Sequence, residues 1–194
     1  MSDTYITIKD VAEGYYTEKR SKFYAFAHPV RTPDEVKVLN QMYRKKYYDA
    51  RHVCYAYRLG AEGAEFRAND DGEPSSTAGK PILGVMLSEN VSDVVIFVIR
   101  YYGGVNLGTG GLIVAYREAA HDAMSHAERT EHIVEDEITY NFAYPQMNDV
   151  MRIVKDMEAR IVAQDFQISC SITLAVKKSQ MPQLKQRLEA INFS

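Results

Sequence analysis

Apolar residues recur along this chain with two periods, and the switches between them mark its elements. Over residues 15–30 the alternation is loose and aromatic, through Phe23 and Phe26, and it stops at Pro29, which predicts a strand. Thr32-Pro33-Asp34-Glu35 reads as a helix start: Thr32 caps, Pro33 takes the first helical position, and Glu35 completes a capping box. Val36, Leu39, Met42 and Tyr43 follow at three- and four-residue spacing, so the helix carries one apolar stripe to about Tyr47. A second strand is predicted over residues 53–59. A glycine-rich loop comes next. The polar stretch 69–81 then leads into an apolar helix over 82–87, with Thr77 or Ser76 near its cap. Residues 94–99 are apolar, β-branched or aromatic without a break, the signature of a strand buried on both faces. A helix over 112–127 presents Leu112, Ala115, Tyr116, Ala119, Ala120 and Ala123, a small-residue face suited to close packing on a sheet.

The cluster Glu128-Arg129-Thr130-Glu131-His132 is polar throughout and reads as a linker. Beyond it the pattern restarts: a strand over 135–143, a helix over 144–159, short strands over 160–166 and 167–176, and a helix over 181–191. In the second of those strands Cys170 alternates with Ile168 and Ile172, so all three are expected on a core strand. The order β-α-β-β-α is a ferredoxin-like split motif lacking its last strand, since only Asn192-Phe193-Ser194 remain. The expected organisation is α+β in two domains, 1–132 and 133–194.

Composition narrows the function classes. Of the 194 residues 46% are hydrophobic and 25% charged, enough apolar surface for a sizeable core. Two cysteines make neither a disulfide framework nor a four-thiolate zinc site. With no basic leader before an apolar segment and no apolar run of membrane-spanning length, a cytoplasmic protein without membrane contact is expected. The formal net charge of −3 disfavours a tight nonspecific nucleic-acid coat. It leaves two local basic patches, Lys19-Arg20-Ser21-Lys22 and Arg44-Lys45-Lys46, each of which taken alone reads first as a solvated face of a strand or helix end.

The segment between the 94–100 strand and the 112–127 helix is the strongest local feature. Residues 101–111 carry five glycines, including Gly104, Gly108, Gly110 and Gly111. Strand, glycine loop and helix aim backbone N–H groups and a positive helix end at an anion. The spacing fits neither a dinucleotide fingerprint nor a Walker loop, and a tight turn needing positive φ is the competing reading. An anion or a stand-in carboxylate is expected at that helix N-terminus, with Arg100 or Lys80 in reach and Asp70, Asp71 or Glu73 as the stand-in. These three carboxylates lack calcium-loop spacing, and capping of a local turn is their alternative role. His52 and Cys54, two apart on a strand, suit a shared pocket wall better than a hydrogen-bonded catalytic dyad, and a buried Cys54 beside a polar strand-start His52 is the alternative. His121 and His126, five apart on a helix, do not form a metal pair. No catalytic residue, metal site or cofactor is assigned.

Two long segments carry a resemblance. Asp70-Asp71-Gly72-Glu73-Pro74-Ser75-Ser76-Thr77-Ala78-Gly79-Lys80-Pro81 and residues 100–112 closely resemble the IMPACT family, supported by Lys19-Arg20-Ser21-Lys22-Phe23, by residues 49–54 and by Ala115-Tyr116. The resemblance covers residues 15–120, and the C-terminal pattern is similar to the small second domain of bacterial members. It implies an N-terminal domain of the ribosomal-protein S-five domain 2 type, as in elongation factor G domain IV. It implies a ferredoxin-like C-terminal domain, as in domain V of that factor. It implies no established reaction. Its eukaryotic members modulate a kinase controlling translation initiation through an additional domain, so only a link to translation is implied here. Two departures stand out: Val114 occupies a usually basic position, and Ser76 a usual glycine.

Three roles follow as expectations. The first is a noncatalytic module bound to RNA or the ribosome, with Arg20, Lys22, Arg51 and Arg100 meeting phosphates. The second is an enzyme or small-anion binder with its pocket between the two motifs, lined by His52, Cys54, Asp70, Asp71, Glu73 and Thr77. The third is a protein–protein adaptor. A monomer or small homo-oligomer suits each.

Overall fold

The computed structural model of the chain describes residues 2–192. The chain is α+β and divides into two compact units, Tyr5–His132 and a second made of Ile133–Ser194 with Met1–Thr4. Asp3 joins the second unit through Ser179, whose backbone N–H donates to Asp3 Oδ1 at 2.9 Å and whose hydroxyl donates to Oδ2.

The first unit contains β1 (Thr4–Ile8, its first residue apart), β2 (Ala12–Glu18), β3 (Ser21–Pro29), α1 (Pro33–Lys46), β4 (His52–Leu59), β5 (Glu65–Asn69), α2 (Gly79–Ser88), β6 (Val94–Tyr101), α3 (Gly108–Ser125) and β7 (Arg129–Ile133, its last residue apart). Five of its strands form an antiparallel sheet in the order β2-β3-β6-β4-β5. Strand parity sorts the side chains. Phe23, Ala25, Ala27, Cys54, Ala56, Val94, Ile96 and Val98 face α2 and α3, while Phe26, Val53, Tyr55, Val95, Phe97 and Ile99 face α1. The unbroken apolar run of β6 is explained by this: it is the central strand and is covered on both sides. The small-residue face of α3 lies on the sheet, with Ala115, Tyr116, Ala119 and Ala123 buried. The capping box of α1 forms as expected, Thr32 and Glu35 each accepting a backbone N–H from the other.

Several local expectations change. The 15–30 segment is a hairpin rather than one strand, turning at Lys19 and Arg20, whose φ of 46° and 66° lie in the left-handed region. No glycine or asparagine marks that turn, so the usual sequence signal is missing. The loop after β4 contains β5, an exposed edge strand with little apolar alternation to reveal it. The polar cluster read as a linker is β7, paired with β1 in a two-stranded sheet. Its side chains alternate between exposed and half-buried, so it never needed an apolar face.

The second unit contains β8 (Glu135–Ala143), α4 (Met147–Asp156), β9 (Arg160–Phe166), β10 (Ser169–Lys177) and α5 (Met181–Ile191). Its antiparallel sheet runs β8-β10-β9, the strand order of a split β-α-β motif. Phe142, Cys170, Ile172 and Leu174 pack with Val150, Ile153, Leu184 and Leu188 from the helices. Ile168 is not on that core strand. It sits between β9 and β10 and is 99% exposed. The expectation about a missing last strand falls on Phe193 and Ser194, outside the described residues.

Candidate functional site

Pairing of β4 with β6 sets His52 opposite Arg100, and the Arg51 backbone N–H donates to the Arg100 carbonyl at 2.9 Å. The start of one strand and the end of the other therefore bring Arg51, His52 and Arg100 to one place. Arg100 has the parity of Val94, Ile96 and Val98, so it lies on the α3 side of the sheet. From β6 the chain crosses the β2–β3 turn at Gly103, where an added Cβ would sit 2.2 Å from the Arg20 carbonyl carbon. Gly103 N–H donates to Ser21 Oγ at 3.2 Å, which holds the crossing. Helix α3 then starts at Gly108, one turn before the expected Leu112. Between these parts lies a cleft of about 410 Å³, lined by Arg51, His52, Glu73, Arg100, Tyr102 and the start of α3 from Leu107 to Thr109.

The floor of the cleft is a buried polar network. Glu73 Oε1 accepts from Arg100 Nη1 at 2.6 Å and from the Tyr116 hydroxyl at 2.6 Å. His52 Nδ1 lies 2.7 Å from the Asp71 carbonyl oxygen, which only accepts, so this nitrogen carries the proton. The other ring nitrogen, Nε2, stands 3.6 Å from Glu73 Oε1. Cys54 Sγ lies 3.1 Å from the Asp70 carbonyl oxygen and 3.4 Å from Tyr116 Oη. Burial pushes the Cys54 thiol well above its ordinary pKa, and burial likewise raises Tyr116. Cys54 is thus held as a thiol, a packing and hydrogen-bonding group rather than a nucleophile.

The three neighbouring carboxylates do three different jobs. Glu73 holds Arg100. Asp71 accepts from Arg44 Nη2 at 2.7 Å and from the Val53 backbone N–H at 2.7 Å. Asp70 caps α2, accepting from the backbone N–H groups of Ser76 at 2.9 Å, Ala78 at 3.2 Å and Gly79 at 2.9 Å. The expected stand-in carboxylate therefore exists, but at α2 rather than α3. Thr77 is not the α2 cap either: Ala78 is, and the Thr77 hydroxyl donates to the Pro74 carbonyl at 2.5 Å. Helix α3 has no side-chain cap. Its first residues, Leu107 to Thr109, line the cleft.

Not every expected site residue reaches this cleft. Arg20 and Lys22 are exposed on the β2–β3 hairpin, Lys80 is exposed in the first turn of α2, and Gly104 is exposed in the loop with φ of 88°. Gly110 and Gly111 line a separate depression of about 250 Å³ with Val114, so the missing basic residue at Val114 leaves the cleft unchanged. Ser76 has a φ of 62°, which explains why glycine suits its position. Tyr116 is the residue that sequence reasoning missed. The signal for Tyr116 is a hydroxyl set among alanines on a sheet-facing helix.

The glycines separate by conformation. Gly108 has a φ of 72°, whereas Gly110 has no positive φ and open space at its Cβ. Gly108→Ala is expected to cost about 1–2 kcal/mol. Gly110→Ala is expected to stabilise by about 0.5–1 kcal/mol. Urea midpoints of the two variants check this; a loss in Gly110→Ala equal to that in Gly108→Ala would contradict the assignment.

Residues 19–124 match the Impact N-terminal domain family. The chain is 37% identical to the IMPACT family member YvyE of Bacillus subtilis over 65% of its own length and 58% of that protein's. It is 28% identical to YigZ of Escherichia coli over 88% of this chain and 84% of that one. With an IMPACT family member of Thermus thermophilus it shares 34% identity over 71% of this chain and 73% of that one. A crystal structure described as that of a hypothetical protein superposes with a TM-score of 0.77 at 25% identity, covering 100% of this chain and 94% of that one. With its characteristic segments building one cleft and a family match across most of its first unit, this chain belongs to the IMPACT family.

Proposed function

We propose that this chain acts in translation as a noncatalytic RNA-contacting module, and that the cleft of its first unit receives an RNA phosphate. The observation that carries the reading is Arg100. It is only 5% exposed, it lines the cleft, and its Nε has no hydrogen-bond partner among the described residues. Its charge is met by one carboxylate, Glu73, at the floor of the cleft. Arg51, Arg100 and the uncapped start of α3 share one lining, groups that phosphate oxygens accept from. The link to translation rests on family membership and on the similarity of the family's domains to those of elongation factor G.

With a net charge of −3 and few cations near the cleft, affinity should be modest and steeply salt-dependent. A structured RNA titrated at low and high salt is expected to bind only at low salt. Arg51→Ala, an exposed change, is expected to weaken binding by roughly the same factor for every RNA sequence. Absence of binding to the parent protein at low salt would overturn the reading.

A further inference from the structure

We infer that the cleft recognises a terminal phosphate monoester of nucleotide size, the end of a strand or a free mononucleotide, rather than a phosphate within a chain. This rests on the phosphate reading above and deepens it. Depth is the first argument. Arg100 lies at the floor with its side chain 6% exposed, and Glu73 beside it is 3% exposed. A diester flanked by two nucleosides is held at the mouth by its own substituents. A monoester carries one substituent and can lead with its phosphate.

Donor number is the second argument. The Arg51 and Arg100 guanidinium groups and the start of α3 at Gly108 and Thr109 line the cleft. A diester offers two non-bridging oxygens, whereas a monoester offers three and a charge of about −1.5 to −2. Among the charged groups facing the cleft, Arg51 and Arg100 outnumber Glu73, and the Glu73 carboxylate is already engaged by Arg100 and Tyr116. The positive end of the 18-residue helix α3 adds to that balance.

Size is the third. The volume of about 410 Å³ lies in the about 300–1,000 Å³ range of small-molecule sites and exceeds what a bare phosphate fills. At the lip stands Tyr102, 42% exposed, with the guanidinium carbons of Arg51 and Arg100 at 5.3 and 5.6 Å from its ring centre. It offers an aromatic wall for the attached nucleoside.

The test uses the full chain and one short single-stranded RNA sequence in three forms, with a 5′-phosphate, a 3′-phosphate or hydroxyls at both ends. A nucleoside monophosphate and inorganic phosphate serve as competitors. At least one phosphorylated form is expected to bind roughly tenfold or more tighter than the hydroxyl form, about 1.4 kcal/mol. Arg51→Ala is expected to erase that difference and to weaken binding of all three forms, with the folded fraction unchanged. Competition by the mononucleotide at lower concentration than inorganic phosphate supports nucleotide size, and equal competition overturns it. Equal binding of all three RNA forms overturns this inference and leaves RNA contact standing. Binding of the mononucleotide without any RNA keeps the terminal-phosphate site and overturns the RNA reading instead.

Discussion

Glu73→Ala is expected to destabilise the first unit by about 3–5 kcal/mol, because it strands the buried Arg100 charge. Both side chains are almost fully covered, at 3% and 6% exposure, and their contact is 2.6 Å. The same change removes the acceptor of the Tyr116 hydroxyl, which lies at the centre of the sheet–helix core. Glu73→Gln should lose less, since an amide oxygen still accepts from both partners. A double change, Glu73→Leu with Arg100→Met, should recover much of the loss, because apolar residues of similar volume replace a pair that is expensive to bury. Urea denaturation of the four proteins gives the comparison. A loss below about 1 kcal/mol in Glu73→Ala would mean that the pair behaves as a solvent-screened surface bridge.

That pair also shows where sequence reasoning stops. The elements with strong local signals are legible: the capping box of α1, the apolar run of β6 and the small-residue stripe of α3 each form where the pattern puts them. Elements whose side chains stay exposed are not. Strands β5 and β7 lack an apolar face, and the β2–β3 turn lacks a turn residue, so periodicity had nothing to report. At the cleft, sequence reasoning brings out Arg51, Arg100 and Gly108 as suited to an anion, Glu73 as a stand-in for one and His52 as a pocket wall. Assigning partners is another matter. Which of Asp70, Asp71 and Glu73 meets which cation or amide depends on strand register and on the turn 70–78, and both are tertiary outcomes. The expected anion stand-in went to the wrong helix for that reason. Glycine and an anion motif were visible at α3, while the start of α2, capped from a distance by Asp70, was masked by the nearby serines and threonine.

Asp70→Ala is therefore the more telling change for how this motif folds, with an expected loss of about 2–4 kcal/mol. Helix α2 begins at Gly79 after Ala78, with no side-chain cap of its own and no acidic residue in its first turn. Its start is pressed against the end of β5: a Cβ on Gly79 would lie 2.4 Å from the Asn69 backbone nitrogen. The residue following Asn69 is Asp70, so the close approach that demands glycine also delivers a carboxylate to the helix start. Its two oxygens take three backbone N–H groups, those of Ser76, Ala78 and Gly79. Removing them leaves donors unpaired beside the positive end of a helix that supplies Ile82 and Met86 to the core. Asp70→Asn keeps one acceptor oxygen and turns an N–H pair toward the same donors, so it should recover only part of the loss. Amide hydrogen exchange at Ala78 and Gly79 should accelerate in Asp70→Ala before the rest of α2 responds. Unchanged exchange there, with an unchanged urea midpoint, would show that water caps α2 as well as the carboxylate does.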